Sequence, residues 1–127
     1  MKKTSELFQP DWIVWDRLIA QNGITIDRPI GSAHPVHEDI IYPIDYGYVN
    51  ETVGTDGEEV DIFVGTASNG LVGAILSTDF RKDDRECKLI FNCTRDEVYL
   101  INGFINFDQE LMLGRLVLRF KLIDIHG

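Results

Sequence analysis

Three carboxylates, Asp56, Glu58 and Asp61, fall at i, i+2 and i+5 within Asp56-Gly57-Glu58-Glu59-Val60-Asp61-Ile62-Phe63-Val64-Gly65, where a Gly-containing turn enters an apolar strand. Asp and Glu supply the oxygen ligands that Mg²⁺ and Mn²⁺ prefer, and a turn running into a rigid strand can aim several of them at one locus. The bland alternative for the same string is an Asp-Gly hairpin turn flanked by solvated acids. Just upstream, Tyr42-Pro43-Ile44-Asp45-Tyr46-Gly47-Tyr48-Val49 is a second dense string. Tyr46 offers a neutral hydroxyl donor that can serve an anion without altering the charge balance. Gly47, between two tyrosines, suggests a tight backbone approach, while Tyr42, Pro43 and Tyr48 read as core and strand packing.

A third constellation is Asp83-Asp84-Arg85-Glu86-Cys87-Lys88-Leu89-Ile90. On a strand Glu86 and Lys88 share a face, so both can reach one site. The competing reading is a charged hairpin tip. His34 and His37, three apart, read as polar loop residues within reach of a phosphate rather than as metal ligands.

These strings resemble the signature of soluble inorganic pyrophosphatases: an aromatic-Pro, a Tyr-Gly-Tyr, then Asp-Gly-Asp-x-x-Asp. By that resemblance Asp56 and Asp61 hold divalent ions, Mg²⁺ or alternatively Mn²⁺. Glu58 stands where the family has the Asp that receives the proton of the attacking water, and its extra methylene matters because a misplacement of ~1 Å can cost on the order of 100-fold in rate. Tyr46 matches the tyrosine that contacts a phosphate or the nucleophile's network. Glu86 stands at a metal-binding Asp and Lys88 at a phosphate-binding Lys, with Asp84 or Asp83 in place of an earlier Asp. In Ile26-Asp27-Arg28-Pro29-Ile30-Gly31-Ser32-Ala33-His34-Pro35, Asp27 takes a Glu position, while Val36 falls at a Lys position and Glu38 at a second Glu. The hairpin that carries a phosphate-binding Arg in the family has no room here; by the resemblance Arg28 either supplies that cation from another place or only pairs with the neighbours of Asp27. The late Tyr-Lys pair has Phe120-Lys121 as its nearest match. The string Asp-Arg-Pro-x-Gly-Ser-x-His-Pro before Tyr-Pro looks like that of a compact bacterial subgroup. The resemblance implies a five-stranded OB-like barrel with flanking helices and metal-dependent hydrolysis of pyrophosphate. The altered Glu58 and missing cations motivate a second class, a pyrophosphatase-like protein that binds a metal and a phosphorylated ligand, or a protein partner, without turnover or with another substrate.

The elements that must position these groups fit one 127-residue domain, large enough to bury a core without disulfides. Twenty-one acidic against twelve basic residues give a net charge of −9, which argues against nucleic acid or an anionic membrane surface as partner. An acidic site still accepts an anionic substrate when divalent metals bridge the two. A nucleic-acid-binding OB module would need a basic groove with exposed aromatics. No apolar run approaches the ~20 residues of a membrane span, and Met1-Lys2-Lys3 leads into Thr4-Ser5-Glu6 rather than a secretory core, so a cytoplasmic protein is expected. Cys87 and Cys93 read as reduced structural thiols.

Residues 1–23 form an expected N-terminal helical extension, with Pro10 at the first helical position, a helix to about Gln21, and Asn22-Gly23 as stop. Trp12 and Trp15 either cap the barrel, the preferred reading, or form the face of a homo-oligomer. Strands are expected at Ile24 to Asp27, Val60 to Gly65, Leu71 to Thr78, Lys88 to Asn92 and Val98 to Ile101. From Asn106 onward a helix is expected, because Leu113, Leu116, Phe120 and Ile123 keep helical spacing, although Leu116 to Ile123 also alternates and Gly114 weakens a helix. The sum is a mainly β core with a helix at each end, α+β in class.

Overall fold

The computed structural model describes residues 9–126. The first eight residues of the expected N-terminal extension lie outside that range. Helix α1 spans Trp12–Asn22, capped by Asp11, whose side chain accepts from the Val14 N–H at 3.2 Å. Pro10 therefore precedes the helix rather than opening it. Gly23, at φ +79°, ends it with its N–H on the Ile19 carbonyl, the left-handed conformation that glycine adopts without a Cβ clash.

Six strands follow: β1 Ile24–Arg28, β2 Asp45–Val49, β3 Asp61–Val64, β4 Leu71–Asp79, β5 Asp84–Phe91 and, after helix α2 at Arg95–Ile105, β6 Met112–Leu118. They form one sheet in the order β1-β2-β3-β5-β4-β6, with β1 and β6 at its edges. The expected five-stranded barrel is thus an open six-stranded sheet. Only the β3–β5 pairing is parallel; the others are antiparallel.

Strand β2 was not among the expected strands, and two further elements differ from the sequence expectation. Val98 to Ile101 is not a strand but the middle of α2, which starts with a capping box: the Thr94 hydroxyl accepts from the Glu97 N–H, and the Glu97 carboxylate accepts from the Thr94 N–H. A Thr-x-x-Glu ahead of an apolar run is a helix start, and that signal outweighs the four-residue apolar run. Glu97 also accepts from the Thr66 N–H and hydroxyl, fastening the helix to the loop after β3. The second difference is the tail. Met112 to Leu118 is β6, not helix, because β4 offers a full ladder from Gly73↔Leu118 to Asp79↔Met112.

Side-chain alternation splits the sheet into two faces. One carries Phe63, Ile75 and Ile90 under the Val98, Ile101 and Ile105 stripe of α2. The other carries Ile62, Ala74 and Leu89 with Ile19 of α1, and Trp12 and Trp15 pack against this second cluster, as the capping reading expected. Gly114 lets α2 approach the first face: a Cβ there would meet Ile105 Cγ2 at 2.5 Å and Ile75 Cδ1 at 2.9 Å. Its N–H donates to Asn106 Oδ1 at 2.8 Å, anchoring the end of the helix. Cys87 and Cys93 are free, and burial pushes their thiols up to about 11 and about 12. No helix among the described residues is long and apolar enough to cross a membrane.

Gly114→Ala is expected to destabilise the protein by about 1–3 kcal/mol through overpacking, read as a lowered urea midpoint. An unchanged midpoint would mean that α2 does not rest on β6 as described.

Candidate functional site

The face beneath α2 is apolar at one end and ionisable at the other. Along β5, Ile90 is followed outward on the same face by Lys88, Glu86 and Asp84; β4 runs Ile75, Ser77, Asp79 and β3 runs Phe63, Asp61. Register aligns these rows, since Ile75 faces Lys88, Ser77 faces Glu86 and Asp79 faces Asp84. An open cleft of about 670 Å³ lies over the polar end.

Lys88 is its floor. The residue is 7% exposed, and its ammonium donates to Tyr46 Oη at 2.9 Å, Asp61 Oδ2 at 2.8 Å and Glu86 Oε1 at 3.0 Å. All three ammonium protons therefore have acceptors. Burial disfavours the charge, but the Tyr46, Asp61 and Glu86 oxygens outweigh it and raise the lysine's pKa. Burial likewise tends to raise Asp61, and Lys88 overrides it and holds that carboxyl below its usual range. For Glu86 burial wins, helped by the nearby Asp61 carboxylate, and its pKa rises. Burial also pushes the Tyr46 hydroxyl up, so it stays protonated near neutrality.

Outside this floor, carboxylate oxygens of Asp56, Asp84 and Glu86 lie within 4.8 Å of one another. Three oxygen donors from the loop before β3 and from β5 suit a hard divalent cation. Asp56-Gly57 forms a turn, with Gly57 at φ +85° and the Glu58 N–H donating to Asp56 Oδ1 at 3.0 Å. The Thr55 hydroxyl donates to the Arg85 carbonyl and ties this loop to β5. The close trio thus draws only Asp56 from the string 56-58-61; Asp61 lies one step inward against Lys88, and Glu58 lines the cleft from an exposed position. The two alternatives left at 83 and 84 separate here, since Asp84 joins the cluster whereas Asp83 takes the φ +53° turn position.

Arg28 reaches the cleft from β1, donating to the Tyr42 hydroxyl and stacking 5.5 Å from the Tyr42 centroid and 5.7 Å from that of Tyr46. Gly47 permits that crowding of tyrosines against β1, because a Cβ there would lie 1.8 Å from the Thr25 carbonyl oxygen. His34 and Asp27 line the cleft as well. His37 meets Arg81, Nε2 to Nη1 at 3.1 Å. Phe120 and Lys121 are outside its lining, with Phe120 under the Arg119 guanidinium.

Sequence reasoning missed Asp79, Arg81 and Lys82. Asp79 is 6% exposed and pairs with Arg81 at 3.2 Å; burial alone would raise its pKa, and Arg81 lowers it. Arg81 and Lys82 bring positive charge to the cleft from the β4–β5 hairpin. An Asp ending a nine-residue apolar strand, two before an Arg, was the available signal.

No family model and no curated protein matches the sequence. Among solved structures, the fold is similar to that of an inorganic phosphatase from Anaplasma phagocytophilum, with a TM-score of 0.52 at 15% identity over 75% of this chain and 81% of that one. An inorganic pyrophosphatase from Coxiella burnetii aligns with a TM-score of 0.48 at 14% identity, over 73% of this chain and 81% of its own. At such identity the first match establishes a shared fold, mainly β with flanking helices.

Lys88→Met is expected to destabilise by about 2 kcal/mol at pH 7, because it strands two half-buried carboxylates. Without the cation both carboxyls titrate above their unfolded values of about 4. Their ionisation then costs stability above those pKa values, so the variant recovers as pH falls toward 5. In the native protein Asp61 titrates low, so its contribution persists to more acid pH before it is lost. Urea melts at pH 7 and pH 5 check this: a deficit below about 1 kcal/mol that ignores pH would remove Lys88 from the floor of the site.

Proposed function

We propose that this protein is a divalent-cation-dependent hydrolase of a phosphoanhydride, with inorganic pyrophosphate as the substrate. One observation carries the proposal: the trio Asp56, Asp84 and Glu86 sits directly beside a lysine held between Tyr46, Asp61 and Glu86. The motif resemblance and the fold shared with the Anaplasma inorganic phosphatase support it.

Asp56, Asp84 and Glu86 would hold Mg²⁺, with Asp61 flanking them, and Mn²⁺ suits the same oxygens. Such an ion, when bound, neutralises charge on substrate oxygens and lowers the pKa of water. The rest falls to the chain's own groups. Arg28, Arg81 and Lys82 present positive charge to the phosphates from two sides of the cleft. Lys88 keeps Asp61 ionised and positions Glu86, acting on substrate through them because its own protons already have acceptors. Tyr46, protonated, is a neutral donor at the inner end. Glu58, exposed on its turn, takes the proton of the attacking water.

A second reading, binding of metal and phosphate without turnover, rests on the same occupied Lys88 donors and on the exposed Glu58. The two separate by experiment.

Asp56→Asn is the cleaner test than Asp61→Asn, because Asp56 is exposed whereas Asp61 neutralises the buried Lys88. With Mg²⁺, phosphate release from pyrophosphate is expected to drop by about 100-fold or more in Asp56→Asn, with an unchanged melting temperature, and to vanish with EDTA. A metal-dependent thermal shift without any phosphate release would favour the second reading. Full activity in Asp56→Asn would displace the site.

A further inference from the structure

The cleft has a second wall of different chemistry. Besides the ionisable rows the lining includes Phe104 and, in the turn between α2 and β6, Phe107 and Leu111, with Met112, Ile40 and Ile41; Asp39 and Asp108 are the acids interspersed among them. Phe107 is 89% exposed, Ile41 51% and Leu111 40%, so this wall has no covering within the described chain. It is also close to the ions' end. The Phe104 ring lies 5.1 Å from Tyr42, and Tyr42 lies 5.1 Å from Tyr46, whose hydroxyl takes a Lys88 proton. Met112 pairs with Asp79, and Asp79 with Asp84, which places Met112 two strand spacings, about 10 Å, from a trio carboxylate.

Size and polarity point the same way. Seven oxygens at the ~30 Å³ that a water takes in the liquid amount to about 200 Å³ for pyrophosphate, against a cleft of about 670 Å³. Cations and their waters can fill the polar end, but water gains nothing from the apolar wall. Pockets of several hundred Å³ with one apolar lining and a few convergent polar groups hold organic ligands.

We infer that the substrates of this site include organic diphosphates, R–O–PO₂–O–PO₃, whose terminal phosphoanhydride lies against the carboxylates while R packs on Phe107, Leu111 and Ile41. The inference rests on the hydrolase reading above. Water attacks the terminal phosphorus; a new P–O bond forms, the bridging P–O bond breaks, and the products are inorganic phosphate and R–O–PO₃. The proton of the attacking water passes to Glu58 and then to solvent. A nucleoside diphosphate and a prenyl diphosphate share this chemistry, and an exposed phenyl ring serves either by stacking or by apolar contact.

The test measures phosphate release with Mg²⁺ from pyrophosphate, ADP and geranyl diphosphate, for the native protein and for Phe107→Ala and Phe107→Leu. Phe107 is exposed, so folding is not at stake. At least one organic diphosphate is expected to have a KM about tenfold below that of pyrophosphate, and Phe107→Ala to raise that KM about tenfold. Rescue by Phe107→Leu with geranyl diphosphate identifies an aliphatic group, and failure of Leu to rescue with ADP identifies a stacked base. Release from pyrophosphate alone, or organic substrates indifferent to Phe107→Ala, overturns the inference and leaves the hydrolase reading intact. No release from any of the three, by protein shown to be folded, overturns both.

Discussion

An ammonium group withdrawn from water needs acceptors for every proton and counter-charge for itself. Lys88 sits in the middle of a sheet, 7% exposed, and obtains both from Tyr46, Asp61 and Glu86 on three different strands. That one requirement sets much of the surrounding geometry. It fixes the Tyr46 hydroxyl and sets Asp61 and Glu86 side by side despite their like charge, with Lys88 holding Asp61 below its usual range while burial raises Glu86.

The sheet supplies the frame for that ion. Because strand side chains alternate, β5 can bury Leu89 under α1, bury Ile90 under α2, and still bring Lys88, Glu86 and Asp84 out in line on the same face as Ile90. Helix α2 covers only the apolar end of that face. Its capping box and its tie through Glu97 to Thr66 hold the start, and the Gly114–Asn106 contact holds the end. The uncovered remainder is the cleft, and the end of α2 gives it an apolar side as well as an ionic floor.

The candidate strings stood out because of the chemistry their residue types could carry. Asp56, Asp61, Tyr46, Glu86 and Lys88 converge on one cleft, and Glu86 and Lys88 share the face that strand periodicity assigned to them. Arg28 reaches the cleft too, by stacking on tyrosines rather than by standing free. What was not legible depended on partners distant in sequence. Val98 to Ile101 is apolar enough for a strand, and Thr94 with Glu97 decides for a helix. Met112 to Leu118 is compatible with either periodicity, and β4 decides for a strand.

The sequence by itself determined the class of the protein, mainly β with flanking helices, and the kinds of groups at its disposal: carboxylate oxygens, a tyrosine hydroxyl and a lysine two residues from a glutamate. These follow from local rules, the periods of strand and helix and the chemistry of side chains, which act over a few residues. The tertiary structure decided that the sheet stays open at six strands, that Asp84 rather than Asp83 joins Asp56 and Glu86, and that Asp61 answers Lys88. It also decided that Arg81, Lys82 and Phe107 line the cleft. Each of these depends on which strand lies beside which, and register between segments tens of residues apart is set by packing of the whole sheet, which no local pattern contains.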